Sequence, residues 1–297
     1  MTSLPIFIFS DDYNLDLGPH VFPAVKFGHI YRALREDSRF ADHTFVRPGP
    51  ATREQVSLAH SRNYIQDLIS LQRSARTYRS ELPLTAEIVD AFFLSTGGTI
   101  EAARQAMQHG RAMNLGGGFH HSYRGHAEGF CYLNDVAVAI KVLQKEKHIK
   151  RALVVDLDVH QGNGTARMFR FNRNVYTFSM HEQDNYPIKE RGSYDLGLRT
   201  GCRDEEYLAL LGDALERIQN TFHADIVFYL AGVDVYERDR LGGLSLTSRG
   251  VAERDRMVRD FARDLPLVTV LAGGYAYNDE DTVRLHLQTC EVLADLI

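Results

Sequence analysis

The sequence predicts a three-layer α/β protein in which a mostly parallel central sheet lies between two layers of helices. Short apolar runs alternate with longer segments of helical periodicity throughout the 297 residues, which is the pattern of this class. Four runs, ALVVDLD, VYTFSM, IVFYLAG and VTVLAGG, are apolar on both faces, as strands covered by helices on both sides must be. No linker rich in Pro, Gly or Ser and no internal repeat divides the chain, so we expect a single domain over residues 1–297.

Each element follows from a local pattern. Strands are predicted where a short apolar run is bounded by Gly, Asp, Asn or Pro, at residues 6–10, 44–47, 112–115, 152–157, 175–180, 226–231 and 268–272. Helices are predicted between the strands, where apolar residues recur at helical spacing, at residues 24–35, 64–74, 86–108, 135–146, 204–220, 248–264 and 281–296. Thr247 directly precedes one of these helices, and its hydroxyl is expected to cap it.

Composition and charge exclude several functional classes. The chain has 34 Lys and Arg against 39 Asp and Glu, a formal net charge of −5, and no basic cluster, which argues against nucleic-acid binding. Cys131, Cys202 and Cys290 are odd in number and far apart, so they favour neither a disulfide framework nor a cysteine-rich zinc site. The start of the chain lacks a basic signal-peptide segment, and no apolar run approaches the length of a membrane span. We therefore expect a cytoplasmic protein with neither nucleic acid nor membrane as a partner.

Ligands of parallel sheets bind at the carboxyl ends of the strands, and polar residues concentrate there in this chain. Asp156, Asp158 and His160 follow a buried strand at a spacing of two, which on an extended chain places them on one face. Buried charges are costly without compensation, so a cation is the natural partner. The alternative is that an Asp caps the following helix while the His makes an ordinary loop hydrogen bond.

Other strand ends carry further candidates. Asp234 follows IVFYLAG, Tyr275 follows a strand and two glycines, and His120 and His121 follow three glycines, which give the backbone the freedom to bring adjacent side chains together. Singly, these residues would more often be a turn residue, a packed aromatic ring and an incidental pair. Together with the acidic strand end they indicate a reaction centre.

Asp158, His160 and Asp234 would give a zinc ion three protein ligands and leave room for water and substrate, which is the pattern of catalytic zinc. A metal held in this way polarises a carbonyl group and lowers the pKa of water. The 13 histidines of the chain are a weaker sign of the same chemistry.

These motifs resemble those of the histone deacetylase family, which includes acetoin-utilisation proteins and acetylpolyamine amidohydrolases. The similar segments are NLGGGFHHS, HAEGFCYLNDVAVA, VVDLDVHQGNGT, AGVDVYERDRLGGLSLT and LAGGY, in this order over most of the chain. QGNG, DRLGGLSLT and the short length are most similar to the class IV branch, and the early segment GPHVFPAVKFGHIYRAL resembles small bacterial members. The resemblance implies the fold shared by arginases and deacetylases, zinc bound by Asp158, His160 and Asp234, and Tyr275 as the hydrogen-bond donor to the oxyanion.

The resemblance also implies that His120 and His121 form an acid/base pair, with Asp156 hydrogen-bonded behind His120. Asn163 stands where many members carry Asp. An Asp would stabilise a protonated ring by its charge, whereas an amide can only hydrogen-bond, so we expect a lower pKa for His121 than an acid would give. We predict that His121 stays neutral and serves as the general base.

A narrow aromatic tunnel for an acyl-lysine side chain is implied as well. Phe130 matches one wall, and Tyr186 is a candidate for the other, with a surface aromatic as the alternative. Gly129, Leu241 and Gly273 complete the implied substrate-binding set. No acidic residue between positions 66 and 87 is matched to the second-loop residue that holds the substrate backbone in many members.

The resemblance further implies a potassium ion near the zinc. Its ligands would be Asp156, Ser179 and the backbone carbonyls of Asp158, His160 and Met180. The other histidines, among them His20, His29, His60, His126 and His181, are expected to be structural or exposed.

The implied reaction is hydrolysis of N-acyl-lysine side chains of proteins by metal-activated water, with acetyl or longer fatty acyl groups as candidates. Acetylpolyamines or other small amides are the alternative substrates. A two-manganese enzyme of the arginase type would need additional ligands in patterns such as DAHxD, which the sequence lacks. An acyl-lysine-binding module without activity is disfavoured because Tyr275 and the three ligands are intact.

Overall fold

A sheet of eight parallel strands forms the centre of the protein in this computed structural model, which describes residues 4–15, 17–18 and 20–297. In chain order the strands are β1 (Ile6–Ile8), β2 (Phe45–Val46), β3 (Arg111–Asn114), β4 (Ala152–Asp156), β5 (Val175–Glu182), β6 (Tyr194–Leu198), β7 (Ile226–Leu230) and β8 (Leu267–Val270). Their order across the sheet is β2-β1-β3-β8-β7-β4-β5-β6. The four runs that are apolar on both faces are β4, β5, β7 and β8, and they occupy adjacent interior positions as predicted.

Two groups of helices cover the sheet, which confirms the predicted three-layer class. In chain order the helices are α1 (Lys26–Glu36), α2 (Arg53–Val56), α3 (Arg62–Ile69), α4 (Ala86–His109), α5 (Asp135–Lys145), α6 (Asn163–Phe169), α7 (Asp204–Thr221), α8 (Ser248–Phe261) and α9 (Asp279–Leu293). In one group α1, α9, α8 and α7 pack in succession, and in the other α4 packs on α5 with α2, α3 and α6 around them.

Most predicted elements are confirmed to within a few residues, and the differences have local causes. β6 was not predicted, because YDLGL is a half-exposed edge strand that contains Asp and Gly. The predicted helix over 64–74 ends instead at Ile69, and Leu71 then adopts a left-handed backbone (φ 53°). The short helices α2 and α6 were missed because neither contains enough turns for a periodic pattern. The cap is confirmed, since Thr247 Oγ1 accepts a hydrogen bond from the Gly250 amide at 3.1 Å.

The predictions for cysteines and membrane segments can also be compared with the structure. Cys131, Cys202 and Cys290 are buried free thiols, so no disulfide joins them. None of the helices in the described ranges has the length and apolar character needed to cross a bilayer.

Candidate active site

Four neighbouring strands, β3, β8, β7 and β4, each end in a loop that carries one part of the site. A cavity of about 190 Å³ opens between these loops. Its walls include His120 and His121 after β3, Tyr275 after β8, and Asp158 and His160 after β4. The carboxyl ends of parallel strands meet at one edge of a sheet, so residues far apart in sequence converge here.

Asp158, His160 and Asp234 form a buried cluster in which each residue offers one ligand atom within 4.8 Å of the others. His160 Nδ1 lies 3.1 Å from Asp158 Oδ1 and 3.4 Å from Asp234 Oδ2. Asp234 Oδ1 accepts the Val159 amide hydrogen at 2.8 Å, whereas Asp234 Oδ2 is buried without a hydrogen-bond partner. Burial and the neighbouring Asp158 charge raise the pKa of Asp234 above its usual value. The cluster therefore brings two buried carboxylates close together and leaves Asp234 Oδ2 without a hydrogen-bond donor.

These features fit a metal ion. Two carboxylates and one imidazole are a ligand set that zinc accepts, and three protein ligands leave positions open for water and substrate. Gly273 allows the cluster to be this tight, because a Cβ there would overlap Asp234 Oδ2, and its amide donates to Asp158 Oδ2 at 2.9 Å.

Asp156 lies apart from the metal cluster, although the spacing predicted one face for all three residues of the run. β4 ends at Asp156, so the alternation of a strand does not continue to Asp158 and His160. Asp156 Oδ2 instead pairs with His120 Nδ1 at 2.8 Å. The alternative of a helix-capping Asp is not what the structure has, since Gly162 occupies the N-cap of α6 without a side-chain cap.

The two adjacent histidines face each other, with 3.1 Å between His120 Nε2 and His121 Nε2. His121 Nδ1 lies 2.8 Å from Asn163 Oδ1. Burial lowers the pKa of His120, but the charges of Asp156 and Asp158 outweigh it and raise that pKa to about 9. Burial, with the neighbouring His120 and His160, holds the pKa of His121 well below its usual value, although the hydrogen bond to Asn163 acts in the opposite direction. Of the two rings, His120 therefore binds a proton more readily than His121.

The loop that carries the histidines is held by two residues that sequence reasoning missed. Asp135, the first residue of α5, accepts the backbone amides of Gly118 and Phe119 at 3.0 and 2.8 Å. Asn134 caps α5 with Oδ1 and donates from Nδ2 to the His120 carbonyl at 3.3 Å. Gly118 itself has φ +88°, and a Cβ there would lie 2.6 Å from Ala272 Cβ. The Asn-Asp pair ahead of the apolar VAVAI segment is the sequence signal of a helix start that could have found them.

Tyr275 is positioned by Asp239, a third residue that the sequence did not identify. Asp239 Oδ2 accepts the Tyr275 amide at 2.7 Å, and Asp239 Oδ1 accepts those of Leu241 and Gly242 at 2.8 and 3.0 Å. The buried Lys26 lies beneath the same loop, where its Nζ is 5.9 Å from the centre of the Tyr275 ring. Burial lowers the pKa of Lys26 to about 8.

The residues expected to form the tunnel line the mouth of the cavity. Gly129, Phe130, Tyr186 and Leu241 all contribute to its wall. Phe130 has a left-handed backbone (φ 62°) and lines the cavity. Tyr186 is 42% exposed, and its ring centre lies 5.2 Å from that of His121. It is thus both a wall of the cavity and a surface residue.

Glu81 lies at the rim, where it lines both the cavity and an adjoining groove of about 1080 Å³. It caps a short 3₁₀ turn with φ 65°. Sequence reasoning left the acidic residue of this loop unassigned, and Glu81 is the acid that the fold brings there. Its position in the folded loop, and no local sequence pattern, distinguishes Glu81 from the other acidic residues between positions 66 and 87.

The residues expected to hold potassium are neighbours across two strands. Asp156 pairs with Ser179 in the register of β4 and β5, and Met180 is the next residue. Ser179 Oγ lies 2.9 Å from His181 Nδ1.

The remaining histidines divide by burial. His60 and His181 are buried at 1% exposure each. His29 and His126 are not buried, and His126 stacks on Tyr123 with ring centres 4.4 Å apart. His20 lines the groove and packs edge-on against Phe130.

Several known proteins are similar to this chain over about nine tenths of its length. The sequence model of the histone deacetylase domain matches residues 20–290. An uncharacterised protein of Picosynechococcus sp. is 39% identical over 271 residues, covering 90% of each chain. Histone deacetylase 2 of Arabidopsis thaliana is 31% identical, covering 90% of this chain and 74% of its own. Acetoin utilization protein AcuC of Bacillus subtilis is 32% identical, covering 91% and 77%.

Solved structures show the same likeness. The crystal structure of an HDAC homolog complexed with SAHA superposes with a TM-score of 0.83 at 25% identity, covering 99% of this chain and 84% of its own. That of an HDAC homolog from Aquifex aeolicus gives a TM-score of 0.82 at 25% identity, covering 98% and 84%.

Proposed function

Because this chain belongs to the histone deacetylase family of amidohydrolases, we propose that it is a single zinc-dependent domain that hydrolyses N-acyl-lysine side chains. The observation that carries the proposal is the meeting of three groups on one cavity. They are the Asp–His–Asp cluster, a histidine pair polarised by Asp156, and Tyr275. Each has a separate task in amide hydrolysis.

Asp158, His160 and Asp234 would hold the metal. Zinc bound there supplies Lewis acidity to an amide carbonyl and to water. The unpartnered Asp234 Oδ2 is the atom whose hydrogen-bonding deficit a cation would remove. A potassium ion beside Asp156 and Ser179 is part of the same proposal and rests on the family resemblance.

The histidine pair would move protons in opposite directions. With the His121 hydrogen on Nδ1, which lies 2.8 Å from Asn163 Oδ1, Nε2 would keep the lone pair that takes a proton from attacking water. His120, backed by the Asp156 carboxylate, keeps a proton that it can give to the departing amine. Such acid and base groups typically contribute about 10² to 10⁴ in rate.

Tyr275 would donate its hydroxyl hydrogen to the oxygen on which negative charge develops. Its phenol pKa is raised well above the usual value by burial and by the nearby Asp158 and Asp234 charges, so it remains a donor at neutral pH. Asp239 fixes its backbone through a 2.7 Å hydrogen bond, which pre-organises the donor.

The mouth of the cavity would receive the substrate. Phe130 and Tyr186 provide aromatic walls for the apolar stem of the lysine, with Gly129, Leu241 and Gly273 lining the same passage. Glu81 at the rim would accept hydrogen bonds from the substrate backbone.

A panel of three substrates tests this function. The purified protein is assayed with an acetyl-lysine peptide, a long-chain acyl-lysine peptide and an acetylpolyamine, with added zinc and, in parallel, with a chelator. We expect zinc-dependent release of at least one acyl group from a peptide. Preference for the polyamine would assign a small-amine substrate instead, and cleavage of none of the three would refute the proposed hydrolysis.

A further inference from the structure

Glu128 lies behind the histidine pair in a position that the mechanism so far does not use. Its side chain is 16% exposed, and its Oε1 accepts a hydrogen bond from Asn163 Nδ2 at 2.8 Å. Its Oε2 faces the His126 ring at 3.5 Å and the Arg79 guanidinium at 3.4 Å. An acidic residue therefore contacts the amide group that contacts His121.

The contacts of Asn163 leave one orientation for its amide. The Gly164 backbone N–H lies 3.0 Å from Oδ1, and an N–H can only donate, so the atom facing it must be oxygen. The Glu128 carboxylate only accepts when ionised, so the atom facing it must be nitrogen. Burial works against the charged form of Glu128, but the neighbouring His126 ring and the hydrogen bond from Asn163 lower its pKa. The Gly164 N–H and the Glu128 carboxylate therefore favour the same orientation of the Asn163 amide.

This orientation decides which nitrogen of His121 carries the hydrogen. Asn163 Oδ1 is an acceptor, so His121 Nδ1, 2.8 Å away, must be the donor. In the neutral ring Nε2 then keeps its lone pair, and it points into the site toward His120 Nε2 at 3.1 Å. A reversed amide would place an N–H against Nδ1 and favour the other tautomer.

We propose that Glu128 is a positioning residue for His121, which it sets in the base-competent tautomer by fixing the amide of Asn163. The proposal rests on the function given above, in which His121 takes a proton from water. It also explains why an amide at position 163 suits this chain. An Asp there would place a second carboxylate against Glu128, with neither able to donate unless the pair takes up a proton.

Glu128 also has a purely structural contact, and the test must separate the two. Its backbone pairs with Cys131 across the turn that carries Phe130. If Glu128 matters only through this turn, its replacement would disturb the tunnel wall and raise KM. If Glu128 acts through Asn163, replacing Glu128 lowers kcat and leaves KM unchanged.

Kinetics of four variants provide the first test, at pH 8. We expect Glu128→Gln, whose amide oxygen can still accept from Asn163, to stay within about threefold of wild type in kcat. Glu128→Ala should lose roughly tenfold in kcat with KM unchanged. Asn163→Asp should lose more than Glu128→Ala, and the double variant Asn163→Asp with Glu128→Gln should recover at least about tenfold, because Gln can donate to the new carboxylate.

Nitrogen-15 NMR of the histidine rings provides a test that needs no turnover. Its result can therefore be interpreted even if the protein does not catalyse the proposed reaction. In the protein as purified, His121 should show hydrogen on Nδ1. In Glu128→Ala the Gly164 N–H still favours the present orientation of the Asn163 amide, but no carboxylate opposes the reversed amide, so a fraction of the His121 rings should carry hydrogen on Nε2 instead. An unchanged His121 tautomer in Glu128→Ala, or equal kcat for Asn163→Asp with and without Glu128→Gln, would overturn the proposal.

Discussion

Acid should destabilise this protein through His60, a buried histidine outside the proposed catalytic set. Both ring nitrogens are engaged in the neutral state. Nδ1 donates to the Tyr123 carbonyl at 2.9 Å, and Nε2 accepts the Asn134 amide hydrogen at 3.0 Å. A proton on Nε2 would face that N–H and break the contact. Burial accordingly lowers the pKa of His60 to about 4.

The size of the effect follows from the difference between the two states. The unfolded chain binds a proton with a pKa near 6.5, and the folded chain near 4. Between these values the unfolded state holds more protons, so the free energy of unfolding falls as the pH falls. From pH 7 to pH 5 this one group should remove about 2 kcal/mol, and below both pKa values roughly 3 kcal/mol.

Urea unfolding at pH 7 and pH 5 measures this contribution, with a chelator present so that metal binding does not vary. His60→Gln can make similar hydrogen bonds without titrating, so it should lose about 2 kcal/mol less than wild type over this interval. His148→Gln, at an exposed histidine, is the matched control and should follow wild type. Equal pH dependence in wild type and His60→Gln would refute the reasoning.

Three further predictions concern the site and its support. Tyr275→Phe should lower kcat by about 100-fold or more while metal content is retained, because it removes one donor to the oxyanion; Tyr277→Phe, at a 72% exposed tyrosine, is the control, and near-normal turnover of Tyr275→Phe would rule out the donor role. Asp234→Asn should abolish the rise in melting temperature that zinc gives the wild type, because a ligand charge is lost; an unchanged rise would place the metal elsewhere. Arg254→Met should cost roughly 3 to 5 kcal/mol in urea unfolding, because it leaves Asp255 buried and unpaired; both side chains are fully buried and 2.8 Å apart. A loss below about 1 kcal/mol would show that the Asp255 charge is relieved in another way.

The strands could be predicted because their signal is local. β4, β5, β7 and β8 are apolar on both faces, and this alone placed them inside a parallel sheet. The edge strand β6 could not be found in the same way. It is half exposed and interrupted by Gly197, and it exists because its backbone completes the hydrogen bonds of β5.

The site was predictable where residue type alone limits the chemistry. Carboxylates and a histidine at strand ends indicate a metal, and the structure gathers Asp158, His160 and Asp234 within 4.8 Å of one another. The contacts of the supporting residues were not predictable. The Asn134–Asp135 pair marks a helix start, but no local pattern shows that Asp135 accepts the amide hydrogen of Phe119, which lies 16 residues away.

The sequence by itself determined the class of fold, the order of the elements and the kinds of side chain at the strand ends, because periodicity and residue chemistry are properties of short segments. Only the tertiary structure decided which partner each polar group takes. It assigned Asp239 to the backbone of Tyr275 and Glu128 to Asn163. A hydrogen bond requires two atoms within about 3 Å in a defined direction, and for residues on different loops that geometry is set by the packing of the whole sheet.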